Sequence, residues 1–434
     1  MKKQFFLLRS LLFWIVMLPF LLQCGGAAKM PPAAKVYKPM YKWVELGPEG
    51  GVIARAITKG AICPDVLIDS KPVSMRMRVA AEKGKWDVTV CEAAIPPEAA
   101  SVSIDGEALP LLKKSPSRVL IIGDTGCTIT DDDVQACNDT KAWVFPELAE
   151  SAARYKPDLI IHVGDYTYRD SLCPYGNDGC RRSPFGDNWD TWEAELFMPA
   201  RDLLPTAPWI FIRGDREHCL INPKGWFRFL DPFPYSEKCE NFSEPYNVEL
   251  DTLTLSVIDS TNANDNTYSM SKASRYSEYM KTYERTNSKH RWFLTHRPIW
   301  AAAEAPNVEK AQDRTFTLNH TLQTAFMSAA WESLLSKYEM VISGHLHLFD
   351  MFSFNEKGTP PQFVIGNGGT LLQPALSGNM QGYRISLKTL KNIKSVSTNG
   401  FATIEPDGES WRITLRDKNG KPITTCSAGS ASCQ

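Results

Sequence analysis

The sequence lacks an excess of charge of either sign, since its 48 basic residues nearly cancel its 49 acidic ones. A protein that holds nucleic acid mainly by charge needs a clustered basic surplus, so the composition predicts no nucleic-acid scaffold. Charged residues make up 22% of the chain and hydrophobic residues 43%, which excludes a largely disordered protein. A globular chain of 434 residues is long enough for one large domain and a smaller companion.

Closely spaced cysteines, which mark a structural zinc site, are also absent. No two of the 11 Cys residues have the two-residue spacing and His partners of such a site. Setting Cys24 aside leaves ten that fall into neighbouring pairs: Cys63 with Cys91, Cys127 with Cys137, Cys173 with Cys180, Cys219 with Cys239, and Cys426 with Cys433. Five disulfides would be typical of an oxidising compartment, although spacing leaves their connectivity open and free buried thiols are the alternative for any pair.

The first 24 residues have the order of an export signal. Lys2, Lys3 and Arg9 precede an apolar run over residues 11–22. The run ends before Cys24 in a pattern that resembles a bacterial lipobox, where the Cys is lipidated, although Gln23 departs from the small residue usual there. An ordinary secretory signal and a retained membrane anchor are the alternatives. We expect an exported protein in the periplasm, the outer membrane or at the cell surface, with lipidated Cys24 as the candidate membrane attachment.

Four regions follow the signal. A Pro- and Ala-rich tether occupies residues 25–39, and short alternating segments between turn formers predict a small all-β domain over 40–112. Short apolar runs then alternate with segments of helical spacing at 143–155, 189–204 and 322–338. This pattern predicts a layered α/β domain over residues 116–415, followed by a C-terminal tail over 416–434.

Five motifs come directly after apolar runs of the α/β region. They are Gly123-Asp124-Thr125-Gly126, Gly164-Asp165-Tyr166-Thr167-Tyr168, Gly214-Asp215-Arg216-Glu217, Thr295-His296-Arg297-Pro298 and Gly344-His345-Leu346-His347. Each puts a carboxylate or imidazole at the carboxyl end of a buried strand, where open α/β sheets bind ligands. A single Gly-Asp pair is more often a turn, but five such motifs in order predict one metal site.

The order of these motifs resembles the calcineurin-like metallophosphoesterase superfamily, and the second motif resembles that of its purple acid phosphatase branch. The resemblance covers roughly residues 118–415. It implies a four-layer αββα sandwich and two metal ions. One ion would be bound by Asp124, Asp165, Tyr168 and His347, and Asp165 would bridge to a second ion bound by Asp215, His296 and His345.

Phosphate-ester hydrolysis explains the need for two cations. The incoming nucleophile and the phosphoryl oxygens are both negative, so two cations must neutralise charge and provide a metal-bound hydroxide that attacks phosphorus. An ionised Tyr168 would favour iron at the first site, while the imidazoles of the second suit zinc, manganese or divalent iron. We therefore expect a metal-dependent phosphatase or phosphodiesterase. The sequence leaves open whether the substrate is a monoester, a diester or a nucleotide.

The third motif departs from the family pattern. Members of the family carry Asn and then His where this chain has Asp215 and Arg216. An additional carboxylate lowers the positive charge that attracts phosphate, and Arg216 could act as a fixed cation for the phosphoryl oxygens but cannot donate a proton at useful pH. His218 is a candidate substitute acid. The candidate catalytic residues are thus Arg216, His218 and His296.

A different class of function is suggested by Arg213-Gly214-Asp215, a tripeptide that cell-surface receptors read. On this alternative the chain is a catalytically impaired surface lipoprotein that acts as a binding protein or adhesin. Such a tripeptide must lie in an exposed loop, whereas these residues follow an apolar run and coincide with a metal motif. The exposure of Arg213 therefore discriminates between the two hypotheses.

Overall fold

The computed structural model describes residues 38–265, 267–283, 288–304, 315–317 and 319–434. The predicted signal with Cys24, and all but the end of the predicted tether, lie outside the described residues. Within the described ranges, no helix is long and apolar enough to cross a membrane.

Strands make up most of the regular structure. In the first half of the chain they are β1 (Tyr41–Leu46), β2 (Val52–Thr58), β3 (Asp65–Ile68), β4 (Lys71–Ser74), β5 (Arg76–Val79), β6 (Thr89–Ala94), β7 (Val102–Ile104), β8 (Glu107–Ala108), β9 (Val119–Ile122), β10 (Leu159–His162) and β11 (Trp209–Phe211). In the second half they are β12 (Tyr246–Glu249), β13 (Leu253–Val257), β14 (His290–Leu294), β15 (Ala302–Glu304), β16 (Thr315–Thr317), β17 (Met340–Ser343), β18 (Phe349–Phe354), β19 (Gln362–Ile365), β20 (Arg384–Ile385), β21 (Lys388–Val396), β22 (Phe401–Asp407), β23 (Ser410–Arg416), β24 (Pro422–Ser427) and β25 (Ser432–Cys433).

The helices are short. They are α1 (Phe145–Tyr155), α2 (Trp189–Trp192), α3 (Pro223–Gly225), α4 (Met270–Glu278), α5 (Met280–Tyr283), α6 (His320–Phe326) and α7 (Ala329–Leu335). Single turns of 3₁₀- or π-helix also occur, among them Glu193–Phe197 directly after α2 and Trp226–Leu230 directly after α3.

Two large sheets organise these elements. The first has eleven strands in the order β25-β24-β23-β22-β9-β10-β11-β1-β2-β6-β5, and the second has eight in the order β12-β13-β14-β17-β19-β18-β21-β20. Strands β9, β10 and β11 run parallel at the centre of the first sheet, and β13, β14, β17 and β19 run parallel in the second. Parallel neighbours end at the same edge, which determines where the loops after them lie.

The sheets pack face to face, with helices outside both. Ile121 of β9 and Ile342 of β17 belong to the apolar core between the sheets. Their neighbours point the other way, as alternation along a strand requires: Leu120 packs in the cluster that contains α1, and Val341 packs in the cluster that contains α6 and α7. The predicted four-layer αββα sandwich is confirmed, and burial on both faces explains why these strands are uninterrupted apolar runs.

The N-terminal region is all β, as predicted, and it adds strands to the first sheet. Strand β1 pairs in parallel with β11, at Glu45 and Trp209, and β2, β6 and β5 follow outward. The remaining strands form a small separate sheet in the order β4-β3-β7-β8. The predicted tail over 416–434 contains β24 and β25 at the opposite edge of the first sheet. The domain boundaries at 112 and 415 stay a prediction.

All five predicted cysteine pairs form disulfides. Three of them lie in the segments that follow β9, β10 and β11: Cys127–Cys137, Cys173–Cys180 and Cys219–Cys239. These cross-links restrict the loops at the edge of the sandwich where the predicted motifs occur. Disulfides in this number are typical of proteins that fold in an oxidising compartment.

Asp350 on β18 gives a prediction for the pH dependence of stability. It is fully buried, and burial raises its pKa to about 7, although the hydroxyl of Ser395 on β21 acts in the opposite direction. The folded state thus favours the protonated acid, and its contribution to stability is complete below the ordinary pKa near 3.8 and is lost as pH rises through 7. We expect Asp350→Asn, which carries no charge, to gain free energy of unfolding relative to wild type between pH 5 and pH 8, by at most about 3 kcal/mol.

Urea unfolding of both proteins at the two pH values measures this difference. The control is Asp407→Asn at an exposed residue. An Asp350→Asn variant whose advantage over wild type stayed constant from pH 5 to pH 8 would contradict the prediction.

Candidate metal centre

The five predicted motifs meet at one edge of the sandwich. The three Asp motifs follow the parallel strands β9, β10 and β11, and the two His motifs follow β14 and β17. Contact between the sheets at this edge is direct, since Asp215 Oδ1 lies 2.8 Å from His296 Nε2. The fold therefore brings together side chains that are up to about 220 residues apart, as shown by the bond from the His345 N–H to Asp124 Oδ2 at 3.0 Å.

The backbone at these loops is unusual. Asp124, Asp165 and His345 have positive φ angles of 56°, 59° and 73°, a region that costs free energy for residues with a Cβ. Close backbone approach requires glycine beside two of them: a Cβ on Gly214 would lie 2.2 Å from the Asp165 nitrogen, and one on Gly344 would lie 2.4 Å from Asp124 Oδ2. Strained residues of this kind concentrate at functional sites, because surrounding contacts must hold them in place.

One cluster consists of Asp165, Asp215, His296 and His345, with one potential ligand atom of each within 4.8 Å of the others. Asp215 Oδ1 lies 2.8 Å from His296 Nε2 and 2.9 Å from His345 Nδ1. His296 Nε2 also lies 3.2 Å from Asp165 Oδ1. The other nitrogen of His296 is 2.7 Å from the Val163 carbonyl, an acceptor that directs Nε2 toward the carboxylates.

The second cluster shares Asp165 and adds Asp124 and His347. The phenol oxygen of Tyr168 lies among them, 2.7 Å from Asp165 Oδ2, 3.1 Å from Asp124 Oδ1 and 3.0 Å from His347 Nε2. The remaining nitrogen of His347 is 2.9 Å from the Leu371 carbonyl. The geometry thus includes Tyr168 beside the three residues that offer carboxylate or imidazole ligands.

Without a metal ion, some of these groups are ready to bind a cation and others are protonated. Although burial acts in the opposite direction, the charge of Asp165 raises the pKa of His296 well above its ordinary value, and Asp215 with Asp265 raises the pKa of His345 to about 9. Burial lowers the pKa of His347 to about 4, which leaves its imidazole neutral. Although burial alone would raise it, Arg297 and His345 hold the pKa of Asp215 well below its ordinary value. Burial, with the charge of Asp165, raises the pKa of Tyr168 well above its ordinary value, so that the phenol keeps its proton in the protein without metal. Buried and partly buried carboxylates and imidazoles that face each other form a donor set that matches hard or borderline cations.

Arg216 lies beside this cluster. Its backbone N–H donates to Asp165 Oδ1 at 2.9 Å, and its guanidinium pairs with Asp170 and lies over the Tyr168 ring, 4.9 Å from the ring centre. His218 contacts groups outside the two clusters, since its Nε2 is 3.1 Å from Asn262 Oδ1 and its Nδ1 accepts from the Leu220 N–H. The catalytic roles of both residues stay predictions.

Arg213 is buried, with a relative exposure of 1%. Its guanidinium donates to the carbonyls of Glu217 and Glu240 and forms an ion pair with Asp259. The tripeptide that begins at Arg213 therefore does not form the exposed loop that the adhesin hypothesis requires, and the structure disfavours that alternative.

Two acids support the loops without having been singled out in the sequence: Glu217, which is buried, and Asp265, which is partly buried. The Glu217 carboxylate accepts from the N–H groups of Gly214, Asp165 and Tyr166, at 3.0, 3.2 and 3.0 Å. Asp265 accepts from His345 Nε2 at 2.8 Å and forms an ion pair with Arg297. Glu217 ends the third motif and could have been suspected, whereas Asp265 lies in a loop without a recognisable motif.

The fold and the site define a protein of the metallophosphoesterase class. A family model described as calcineurin-like phosphoesterase matches residues 117–349, which is more than half of the chain. The chain therefore belongs to the calcineurin-like phosphoesterases.

Two solved structures share the fold at low identity. The purple acid phosphatase PPD1 from yellow lupin (Lupinus luteus) seeds is 12% identical with a TM-score of 0.57, over 90% of this chain and 74% of that chain. A structure of PhoD is 10% identical with a TM-score of 0.54, over 93% of each chain. No curated protein sequence matches the chain.

The role of Glu217 is testable by Glu217→Gln. The amide nitrogen of Gln must face one of the three backbone N–H groups, so a buried donor loses its acceptor, at a cost of about 1–3 kcal/mol. We expect the free energy of unfolding to fall by that amount in urea titrations. Glu237→Gln at an exposed position is the matched control, and equal stability of the two variants would show that the Glu217 bonds contribute nothing.

Proposed function

We propose that the protein is an exported, metal-dependent phosphoester hydrolase with a dinuclear centre. The ligands of the first ion are Asp124, Asp165, Tyr168 and His347, and those of the second are Asp165, Asp215, His296 and His345. The observation that carries the proposal is the position of Asp165. Its Oδ1 lies 3.2 Å from His296 Nε2 in one cluster and its Oδ2 lies 2.7 Å from the Tyr168 oxygen in the other, as a bridging carboxylate requires.

Each side chain has a task in this scheme. When bound, two cations a few ångströms apart would neutralise the phosphoryl charge and lower the pKa of water, so that hydroxide is available for in-line attack on phosphorus. Asp165 keeps the two sites at a fixed separation, and Val163 and Leu371 hold the rings of His296 and His347 in their ligating orientation. With both of its nitrogens engaged, His296 serves better as a ligand than as a proton carrier.

The chemistry of the ligands distinguishes the two ions. Phenolate oxygen and carboxylates at the first site favour a hard trivalent ion, so we propose iron there. Two imidazoles and two carboxylates at the second suit zinc, manganese or divalent iron. The substrate is a phosphate ester, and the family membership supports this class without identifying the ester.

The proposed location follows from different features. Five disulfides agree with export, and the charged and apolar order of the first 22 residues supplies the signal. We propose attachment to a membrane through lipidated Cys24. Mass spectrometry of the N-terminal peptide of protein from the native host tests this. Lipidation would make Cys24 the first residue, so a mature chain in which a residue still precedes an unmodified Cys24 would exclude it.

Metal content tests the proposed centre directly. Elemental analysis of protein purified without chelators should find about two ions per chain in the wild type. Asp165→Ala should remove both ions, because the bridging carboxylate serves both sites, and should reduce hydrolysis of an aryl phosphate or an aryl phosphodiester by at least about a thousandfold, since the Lewis acids are lost with it.

The control is His290→Ala, at the opposite end of β14 from His296, where the ring contacts Glu339 and Trp411. It should keep both ions and full activity. Full activity in Asp165→Ala would refute the mechanism, and a wild type that binds no metal after reconstitution would refute the proposed function.

Arg216 is proposed as the fixed cation for the phosphoryl oxygens. Its guanidinium is held beside the first site by Asp170 and the Tyr168 ring. Arg216→Ala should therefore lower kcat/KM for an anionic phosphate ester by about 10- to 1,000-fold while both metal ions are retained. Arg216→Lys should recover little, because a single ammonium cannot replace the planar fork. Unchanged kcat/KM in Arg216→Ala would leave the residue with a purely structural role.

A further inference from the structure

Asp215 stands where the resemblance to the family implies a neutral Asn, and the surroundings of its two oxygens differ. Oδ1 faces the imidazoles of His296 and His345, at 2.8 and 2.9 Å. Oδ2 lies 3.0 Å from Arg297 Nη2. One oxygen is thus directed at the second metal position, and the other is held by a cation.

Arg297 is fixed by a second carboxylate. Its Nη1 lies 2.5 Å from Asp265 Oδ2, and only 8% of its side chain is exposed. The same Asp265 oxygen lies 2.8 Å from His345 Nε2. Asp265 therefore positions both the arginine that holds Asp215 and the imidazole that shares the metal position with Asp215.

His345 lies between two carboxylates. Its Nδ1 is directed at Asp215, and its Nε2 lies 2.8 Å from Asp265 Oδ2 and 2.9 Å from Arg297 Nη1. A ligating imidazole that donates its second N–H to a carboxylate is held in one tautomer and one ring orientation. Asp265 supplies that carboxylate from the loop before α4, a part of the chain in which the sequence shows no recognisable motif.

Resting on the proposed function, we propose that Arg297 and Asp265 are positioning residues that adapt the second metal site to an Asp ligand in place of Asn. Arg297 requires an acceptor at the outer atom of residue 215. The carboxylate of Asp215 provides an acceptor there and still presents Oδ1 to the metal. An Asn would face the guanidinium with its NH₂ group, or would turn the NH₂ toward the metal and lose the ligating oxygen.

The consequence is an energetic coupling between residues 215 and 297. With Arg297 present, Asp215→Asn leaves two donors opposed and should weaken zinc binding at the second site by about 10- to 100-fold. In the background of Arg297→Gln, the Gln carbonyl can accept from the Asn NH₂, so the same change at residue 215 should cost at least about tenfold less. Arg297→Lys still places a donor opposite residue 215, so in that background Asp215→Asn should again weaken zinc binding by the full amount.

The experiment is a double-mutant cycle on the full chain. Metal-stripped wild type, Asp215→Asn, Arg297→Gln and the double variant are loaded with iron and titrated with zinc, and the iron content reports on the first site. Arg412→Gln is the matched control for removing an arginine, because Arg412 forms a partly exposed ion pair with Glu405. The cost of Asp215→Asn in zinc binding should be the same with and without this change. Equal costs of Asp215→Asn in the wild-type and Arg297→Gln backgrounds would overturn the proposal.

Asp265→Asn gives an independent result if Arg297→Gln does not fold. It preserves side-chain volume but replaces an anionic acceptor, so zinc affinity at the second site should fall by about 10- to 100-fold with iron retained at the first. Unchanged zinc affinity in Asp265→Asn would overturn the positioning role. A wild type that binds no metal at all would instead refute the proposed function, so the two failures are distinguishable.

Discussion

The position of the Asp165 carboxylate is the constraint on which the candidate centre depends. Each of its oxygens faces a different cluster, and the residue adopts a positive φ angle to do so. Its backbone N–H donates to Glu217, and the absence of a side chain at Gly214 allows the third loop to approach within contact distance. A small displacement of this one residue would disturb both clusters at once, which explains why so many buried bonds converge on its loop.

The architecture provides this position through the direction of its strands. Three parallel strands in one sheet and two in the other end at the same edge, so that five loops meet although they are distant in sequence. Burying several charged groups together is costly unless each has a partner. Here the carboxylates face imidazoles, backbone N–H groups or arginine, and disulfides restrict three of the loops that carry or flank them. Strands β1, β2, β6 and β5 extend the first sheet sideways beyond β11, so the N-terminal region is part of the same sandwich.

The sequence predicts the strand-end motifs well because their signal is local. An uninterrupted apolar run followed by Gly and Asp indicates a buried strand and its loop, and five such motifs in order identify the family. Features that depend on tertiary contact are not visible in this way. The predicted helix over 322–338 is two helices, since Ser328 caps α7 and separates it from α6, and the predicted helix over 189–204 contains a π-helical turn after α2. Asp265 has no sequence signal, since its partners Arg297 and His345 are 32 and 80 residues away.

The contacts of Asp215 bear on the departure of the third motif from the family pattern. The presence of Asp215 in place of the family's Asn is matched by its neighbours. Arg297 holds the outer oxygen of Asp215, and Asp265 contacts both Arg297 and His345. Arg216, by contrast, cannot replace the family's His as a proton donor, because a guanidinium does not release its proton at useful pH. On the proposed function, the metal ligands are therefore adapted while proton donation to the leaving group is weakened. Leaving groups that depart as stable anions need no such donor, so a centre of this kind should discriminate between esters by the basicity of the group expelled.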